Sequence, residues 1–244
     1  MPNITTHRAE LDAGHLYVHL PEGVFLLDTG SHGSFGDVLR CTFGQDRGRL
    51  DSSMMGISMQ SLRGHVRKDC VGLLGMDVLA EHPMLFDLGS SQIHVGDDAW
   101  ASVADSERSA CEYRAMIGGV PAVALALGGR DTIAIFDTGA QYGYVLQESQ
   151  CAGAAPSEPI SDFSPLLGDM SSPSWEVDVD LCPRRATRAG ALGKFRQRVG
   201  VMPPLGGQML SLIGVRAIIG CGWMRQCRVG FHGAEGEMWL AHCV

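Results

Sequence analysis

Two aspartates in this chain of 244 residues share the same local sequence. Each ends an apolar run and is followed by threonine and glycine, which gives Asp28-Thr29-Gly30-Ser31 and Asp137-Thr138-Gly139-Ala140. One such triplet is common turn chemistry, but two in matching contexts indicate two similar turns that could face each other. Two adjoining carboxylates cannot both ionise easily, so the pair holds one proton over a wide pH range. One member can then act as a general base on water while the other acts as the acid.

The remaining residues of the triplets suit that chemistry. Gly30 and Gly139 allow a tight turn and a close approach between the two turns. The hydroxyls of Thr29 and Thr138 could hydrogen-bond across a pseudo-twofold axis and lock the turns together. The apolar residues before each aspartate would keep the site rigid and dry, which strengthens electrostatic interactions.

A second motif follows each triplet in the same order. Leu73-Leu74-Gly75 follows the first triplet, and Ile218-Ile219-Gly220 follows the second. A predicted strand hairpin precedes each triplet, at residues 15–27 and 120–136, where short apolar or alternating runs are bounded by glycine and proline. No stretch shows a strong helical stripe. We therefore interpret the chain as a diverged tandem duplication of one unit, mostly β.

The repeat also sets the predicted domain organisation. We place the first lobe at residues 1–103 and the second at 104–244, with the boundary inside the polar stretch 96–111. Lobes of this size are typical of compact domains. The second half is longer between its two motifs, and we place its extra residues at 151–207.

The two motifs, repeated in order, resemble those of the pepsin and retropepsin clan of aspartic proteases. The resemblance covers most of the chain and implies an all-β, bilobal, pepsin- or retropepsin-like fold with pseudo-twofold symmetry, similar to a fused retropepsin dimer. It implies that Asp28 and Asp137 are the catalytic pair of an endopeptidase that hydrolyses protein or peptide substrates with an activated water. It also implies a monomer that needs no metal and no cofactor.

The resemblance assigns supporting roles to the neighbouring residues. The site would be shaped by Thr29, Gly30, Ser31, Thr138, Gly139 and Ala140, and buttressed by Leu73, Leu74, Gly75, Ile218, Ile219 and Gly220. In the clan, a hydroxyl directly after the triplet can hydrogen-bond the aspartate and favour its ionised form. Ser31 could do so and Ala140 could not. We therefore expect Asp28 to ionise more readily than Asp137, and a pH optimum nearer mildly acidic than that of pepsin.

The clan covers its cleft with a β-hairpin flap, and two segments could supply one here. Residues 54–58 lie at a plausible distance after the first triplet, although little chain then remains for the usual returning strands. Residues 175–181 alternate like a strand, and residues 194–199 could be their partner, with 190–193 in the turn. The sequence leaves both assignments open.

The clan also often pairs its chain ends in a sheet between the lobes. Here residues 3–6 would pair with residues 238–244. Such a pairing would tie the two predicted lobes together.

Composition argues against several classes of function. The net charge of −8 argues against a nucleic-acid surface, and we interpret the one basic stretch, residues 184–198, as a solvated hairpin face. No apolar run is long enough to span a membrane, and the first 20 residues lack a signal core. We therefore expect a cytoplasmic protein without a membrane partner. Its eight cysteines contain no Cys-x-x-Cys pair, so free thiols are expected.

Histidines offer a weaker signal. His15 and His19 have a spacing that suits zinc on a helix, but they lie in a predicted strand, so we favour structural roles. His232, His242 and Cys243 form no convincing ligand spacing. No metal site is therefore predicted.

Two other functional hypotheses stay open. A catalytically weak or idle peptide-binding module on the same fold would be indifferent to loss of either aspartate. A sugar-kinase or actin-like fold also duplicates Asp-x-Gly turns, to hold phosphate and metal, but it predicts long helices and a larger chain.

Overall fold

The computed structural model describes residues 3–165, 167–181 and 192–243, and most of its regular structure is β. The strands up to residue 95 are β1 (Thr5–Asp12), β2 (His15–Leu20), β3 (Gly23–Leu27), β4 (Phe35–Gly36), β5 (Arg40–Phe43), β6 (Asp46–Arg49), β7 (Ser53–Met54), β8 (Ile57–Ser58), β9 (Cys70–Leu74), β10 (Met84–Asp87) and β11 (Gln92–Val95). The strands that follow are β12 (Ser109–Ala110), β13 (Tyr113–Ala115), β14 (Pro121–Leu127), β15 (Arg130–Phe136), β16 (Gly143–Val145), β17 (Ala155–Ser164), β18 (Gly168–Asp180), β19 (Lys194–Val201), β20 (Ala217–Ile219), β21 (Cys227–His232) and β22 (Glu237–His242). The α-helices are short: α1 (Met59–Leu62), α2 (Met76–Leu79) and α3 (Pro204–Leu212).

Most strands belong to two large sheets. The second sheet lies within the second lobe, whereas the first combines the strands of the first lobe with β12, β21 and β22 from residues 104–244. The first sheet has the strand order β12-β22-β21-β10-β11-β1-β2-β3-β9-β4, and the second has the order β13-β14-β15-β20-β16-β19-β18-β17. The predicted all-β, bilobal, pepsin-like architecture is therefore confirmed. The chain passes from the first sheet to the second between β12 and β13. The lobe boundary between residues 103 and 104 stays a prediction.

Each lobe repeats one arrangement around its aspartate. In the first lobe β9 runs parallel to β3, and β4 adds antiparallel on its other side. In the second lobe β20 runs parallel to β15, and β16 adds antiparallel. Because parallel strands end at the same edge, each Asp-Thr-Gly lies beside the glycine of its second motif. The apolar runs that carry the aspartates are buried, which fixes their register.

Both predicted hairpins before the triplets are present. β2 pairs antiparallel with β3, and β14 pairs antiparallel with β15. The second hairpin turns at Gly128 and Gly129, whose φ angles are 57° and 78°. Two successive positive φ values are what a two-residue hairpin turn requires, and glycine adopts them without strain.

The lobes are joined by a pairing other than the one predicted. Strand β10 of the first lobe pairs with β21, with Met84 opposite Phe231. The predicted pairing of residues 3–6 with residues 238–244 is wrong, although β1 and β22 share the first sheet. Strand β1 pairs with β11, β22 pairs with β21, and β10 lies between those two hairpins.

Candidate active site

The two aspartate-bearing turns meet between the lobes. We name residues 28–31 the Asp28 turn and residues 137–140 the Asp137 turn. Both aspartates are partly exposed, and Asp28 lines a cavity. Each carboxyl group lies against the glycine of the other turn, and the two are close enough for each to shift the pKa of the other. The structure thus brings together the two carboxyl groups that the sequence singled out.

Each turn holds its own aspartate with the same two backbone hydrogen bonds. The Asp28 Oδ1 atom accepts from the N–H groups of Gly30 at 2.9 Å and Ser31 at 3.0 Å. In the second lobe, Asp137 Oδ1 accepts from the N–H groups two and three residues further on, at 2.9 and 3.0 Å. The two turns therefore orient their carboxyl groups identically.

The threonines lock the turns together as predicted. The Thr29 hydroxyl donates to the Phe136 carbonyl at 2.6 Å and accepts from the Thr138 N–H at 3.0 Å. The Thr138 hydroxyl donates to the Leu27 carbonyl at 2.7 Å and accepts from the Thr29 N–H at 3.0 Å. Both threonines are fully buried, so these four bonds are shielded from water.

The second motifs support the turns from behind. The N–H groups of Asp28 and Asp137 each donate at 2.9 Å to the second apolar residue of the motif, Leu74 and Ile219 respectively. The first apolar residues, Leu73 and Ile218, pair with the strands that carry the aspartates.

The motif glycines permit a close approach to the turns. A Cβ atom on Gly75 would lie 2.5 Å from the carbonyl oxygen of Gly33, and one on Gly220 would collide with the carbonyl oxygen of Ala140. Side chains at these two positions would push the turns out of place.

The electrostatic environment makes the pair unequal. Burial raises the pKa of both carboxyl groups, and the negative charge of Asp137 raises the pKa of Asp28 well above its ordinary value. The pKa of Asp137 is also raised, but it is opposed by the hydrogen bond from Asp28, by the two backbone N–H groups and by the charge of His15. The pair therefore shares one proton, and the charge of His15 favours Asp137 as its ionised member.

The expected role of the Ser31 side chain is wrong. Its hydroxyl donates to the Gly33 carbonyl at 2.9 Å, away from Asp28. The same hydroxyl lies 3.9 Å from the sulfur atom of Met54. Ser31 supports Asp28 through its backbone N–H alone, as Ala140 supports Asp137. The Ser31 hydroxyl therefore gives no support to the hypothesis that Asp28 ionises more readily than Asp137, which stays a prediction.

The two turns are braced by different side chains. In the first lobe the Ser34 hydroxyl accepts from the Gly75 N–H at 2.8 Å and donates to the Asp77 carboxylate at 2.5 Å. In the second lobe the Gln197 side-chain oxygen accepts from the N–H groups of Gly220 at 2.8 Å and Gly143 at 3.2 Å. Sequence reasoning missed both braces, and Gln197 comes from β19, far along the chain.

A cavity of about 540 Å³ opens beside Asp28 and the Gly139 end of the Asp137 turn. Its lining includes Asp28, His15 and Gly139 at the floor, Leu62, His65 and Val66 on the first-lobe side, and residues 161–163, 165 and 169–171 from the second lobe. The rings of Phe163 and His65 stack across the cavity, with centroids 3.8 Å apart and planes 8° apart. The two lobes thus contact each other in the lining of this cavity.

The cover of this cavity comes from the β17–β18 hairpin. Residues 54–58 form the short hairpin β7–β8, whose Met54 contacts Ser31 of the Asp28 turn. Residues 175–181 pair with β19 as expected, although the cavity is lined by the other end of β18 and by β17. The expected turn at 190–193 lies partly outside the described residues. Strand β17 was missed because Pro156 and Pro159 interrupt its sequence pattern.

The two histidines of strand β2, His15 and His19, hydrogen-bond different partners. His15 Nδ1 donates to the Gly139 carbonyl at 2.6 Å, whereas His19 pairs with Glu10 at 2.9 Å in a partly buried position. Across the described ranges, no group of three side chains could hold a metal ion.

The described part of the basic stretch forms a solvated strand face, where Arg196 pairs with Asp178 at 2.9 Å. Residues 184–188 and Cys182 lie outside the described residues.

Several cysteine side chains are buried as free thiols. Cys41, Cys70, Cys151 and Cys221 are buried thiols. In the part of the chain that the structure describes, the helices are too short or too polar to cross a bilayer.

Comparison with known proteins gives a structural likeness alone. The sequence matches no protein-family model and no curated relative. The crystal structure of basic 7S globulin from soybean superposes with a TM-score of 0.56 over 98% of this chain and 95% of that chain, at 10% sequence identity. That protein has a pepsin-like fold. At this identity the likeness supports the fold and is consistent with the aspartic-protease resemblance seen in the sequence.

Proposed function

We propose that this chain is an aspartic endopeptidase whose catalytic pair is Asp28 and Asp137. One observation carries the proposal: two turns that match bond for bond bring each carboxyl group against the glycine of the other turn. Structural ion pairs also perturb carboxyl groups, but they do not require two copies of one turn locked across a pseudo-twofold axis. Asp28 and Gly139 also line a cavity of a size that can admit a peptide segment.

The proposed reaction follows from the unequal pair. Ionised Asp137 removes a proton from a water molecule held between the carboxyl groups, and the resulting hydroxide attacks the peptide carbonyl carbon. Protonated Asp28 donates its proton to the carbonyl oxygen, which gives a tetrahedral gem-diol without a covalent enzyme intermediate. Collapse of the gem-diol transfers a proton to the leaving amine and returns the pair to its singly protonated form.

The proposed substrate is an extended segment of protein or peptide. The cavity is lined mainly by apolar side chains on the first-lobe side, such as Leu62 and Val66, and by the β17–β18 hairpin on the other side. Substrate entry requires the Phe163–His65 stack to open. Since one chain supplies both aspartates, the proposed active form is a monomer that uses no cofactor.

The test is cleavage of denatured casein between pH 3 and pH 7, with and without a pepstatin-type inhibitor. We expect inhibitor-sensitive cleavage by the wild-type protein and none by Asp28→Asn or Asp137→Asn. The matched control is Asp105→Asn, because that carboxylate is 92% exposed and pairs only locally with Arg108. Cleavage that survives in either dyad variant would contradict the proposal.

The second candidate is an idle peptide-binding module on the same fold. It is favoured by the Phe163–His65 stack, which joins two sides of the cavity lining, and by a structural neighbour that is named a globulin. A binding module would retain peptide affinity in Asp28→Asn and Asp137→Asn and would cleave nothing at any pH. Calorimetric titration of a casein-derived peptide into the same variants separates the two functions.

A further inference from the structure

His15 reaches from the first lobe to the turn of the second lobe. Its Nδ1 atom lies 2.6 Å from the Gly139 carbonyl oxygen, across 124 positions of sequence. A carbonyl oxygen carries no proton, so Nδ1 must carry the hydrogen and act as the donor. The ring is half-buried and lines the same cavity as Asp28, and its other nitrogen, Nε2, is the one that can gain a proton.

The peptide group that accepts the hydrogen bond from His15 also hydrogen-bonds Asp137. The carbonyl of the Gly139–Ala140 peptide accepts from His15, and the N–H of the same peptide donates to Asp137 Oδ1 at 3.0 Å. A peptide group polarised at its oxygen becomes a stronger donor at its nitrogen, because hydrogen bonds in a chain reinforce one another. A protonated imidazole strengthens both bonds and adds its positive charge.

The Asp28 turn has no such partner in the matching loop. The loop before β2 lies against the Asp137 turn, where a Cβ atom on Gly14 would collide with Gln141. The loop before β14 lies against the Asp28 side, where a Cβ atom on Gly118 would be 2.5 Å from the Cβ of His32. That second loop reads Ile-Gly-Gly-Val at residues 117–120 and offers no imidazole. The histidine is thus an addition to one side of a symmetric frame.

We propose that His15 is a positioning residue which, through the Gly139–Ala140 peptide, fixes Asp137 as the member of the pair that carries the negative charge. This deepens the proposed function and rests on it wherever catalysis is the readout. Acting through the peptide, His15 needs no contact with the reacting atoms. It sets the pH at which the pair becomes singly ionised.

Other ionisable groups surround His15 and contribute to any pH dependence. The neighbours are Asp12 at the end of β1, Tyr17 with its ring centroid 6.4 Å away, Asp28 and Asp137 in the pair, Cys221 beside Gly14, and Asp162, Asp169 and His65 across the cavity. All of these are present in every variant below, so a difference between variants reports on His15 alone.

The test compares His15→Gln and His15→Leu with the wild type. Glutamine can still donate an N–H to the Gly139 carbonyl but carries no charge, and leucine loses both interactions. Since the active form needs one ionised carboxyl, we expect the acidic limb of kcat/KM to move to higher pH in His15→Leu. A shift of about half a pH unit or more is expected, which is less than a direct ion pair produces. A smaller shift in the same direction is expected in His15→Gln.

A second readout does not depend on activity. Carbon-13 NMR of the aspartate side-chain carboxyls should show the lower ionisation step of the pair at higher pH in both variants. The control His19→Gln, on the same strand but paired with Glu10 in a partly buried position, should leave both readouts unchanged. If wild type cleaves nothing, the proposed function fails while the NMR shift still decides the role of His15. Unshifted midpoints in both His15 variants would overturn the role.

Discussion

The Asp28 turn and the Asp137 turn are alike where they touch each other and unlike where they touch the rest of the protein. Their backbone bonds to the carboxyl groups and the crossed threonine bonds agree within 0.1 Å between the lobes. Their braces and covers differ: Ser34 with Asp77 and a short hairpin on one side, Gln197 and the long β17–β18 hairpin on the other. A shared proton requires symmetry only over the few atoms that hold the carboxyl groups. Beyond them, each lobe is free to diverge.

The largest effect should come from breaking the close approach of the two turns. A Cβ atom on Gly139 would lie 2.5 Å from the Asp28 carboxyl carbon, and one on Gly30 would overlap the Asp137 carboxylate. We therefore expect Gly30→Ala and Gly139→Ala each to reduce kcat/KM by about 100-fold or more, because small displacements of reacting groups have effects of that size. Each substitution acts on the aspartate of the other lobe.

The matched controls for the glycine variants are Gly64→Ala and Gly222→Ala, one in each half of the chain. Neither glycine has an atom within 4 Å of an added Cβ, and neither has a positive φ. Their kinetics should match the wild type. Near-normal turnover in Gly30→Ala or Gly139→Ala would mean that the carboxyl groups are not held at the observed separation.

Loss of either threonine hydroxyl should lower the free energy of unfolding by a similar amount, because the two turns make matching hydrogen bonds. Valine at position 29 or 138 keeps the shape but leaves a buried carbonyl and a buried N–H without their partner. We expect Thr29→Val and Thr138→Val each to lower the free energy of unfolding by about 2–4 kcal/mol, measured by urea denaturation. Thr132→Val, on the partly exposed part of β15, is the control. A clearly larger loss for one threonine than for the other would contradict the bond-for-bond match.

The side chains that brace the two turns, Ser34 in the first lobe and Gln197 in the second, should stabilise the protein independently of each other. Ser34→Ala removes the acceptor for Gly75, and Gln197→Ala removes the acceptor for Gly220 and Gly143. Each variant should lose about 1–3 kcal/mol of stability, and the double variant should lose the sum because the braces share no residue. Strong non-additivity in unfolding experiments would show that the braces act through one common element.

The smallest expected effect is the change in the free energy of unfolding that follows from the raised pKa values of the two aspartates. A carboxyl whose pKa is raised by folding contributes stability that is full below its unfolded pKa of about 3.9 and is lost as pH rises through its folded pKa. Since burial and the charge of Asp137 raise the pKa of Asp28, Asp28→Asn should remove this loss. At pH 7 it should be more stable than the wild type by about 1 kcal/mol or more, because one pKa unit corresponds to about 1.4 kcal/mol. Unfolding midpoints between pH 3 and pH 7 measure the difference, and a gain in the same direction is expected for Asp137→Asn, whose pKa burial also raises.

The sequence predicted the symmetric part of the molecule well because that part is local. The apolar runs before Asp28 and Asp137, their hairpins and their second motifs lie on adjacent strands with clear patterns. These features were enough to predict the all-β, bilobal, pepsin-like fold.

The asymmetric part depends on contacts between residues that are distant in the chain. His15 was interpreted as a structural histidine, since no local pattern marks its bond to the Gly139 carbonyl 124 positions away. Ser31 was expected to hydrogen-bond Asp28, but a nearer carbonyl at Gly33 takes its proton. The β17–β18 cover escaped prediction because prolines and polar residues obscure β17, whose strand is stabilised by pairing with β18.

The central claim is that Asp28 and Asp137 titrate as one pair, and carbon-13 NMR of their carboxyl groups between pH 2 and pH 9 tests it most directly. We predict two well-separated steps in the wild type, with the upper step above the usual aspartate range and both carboxyl signals responding to both steps. Asp137→Asn and Asp28→Asn should each leave a single step. Two carboxyl groups that titrate independently near pH 4, unaffected by substitution of the partner, would contradict the account.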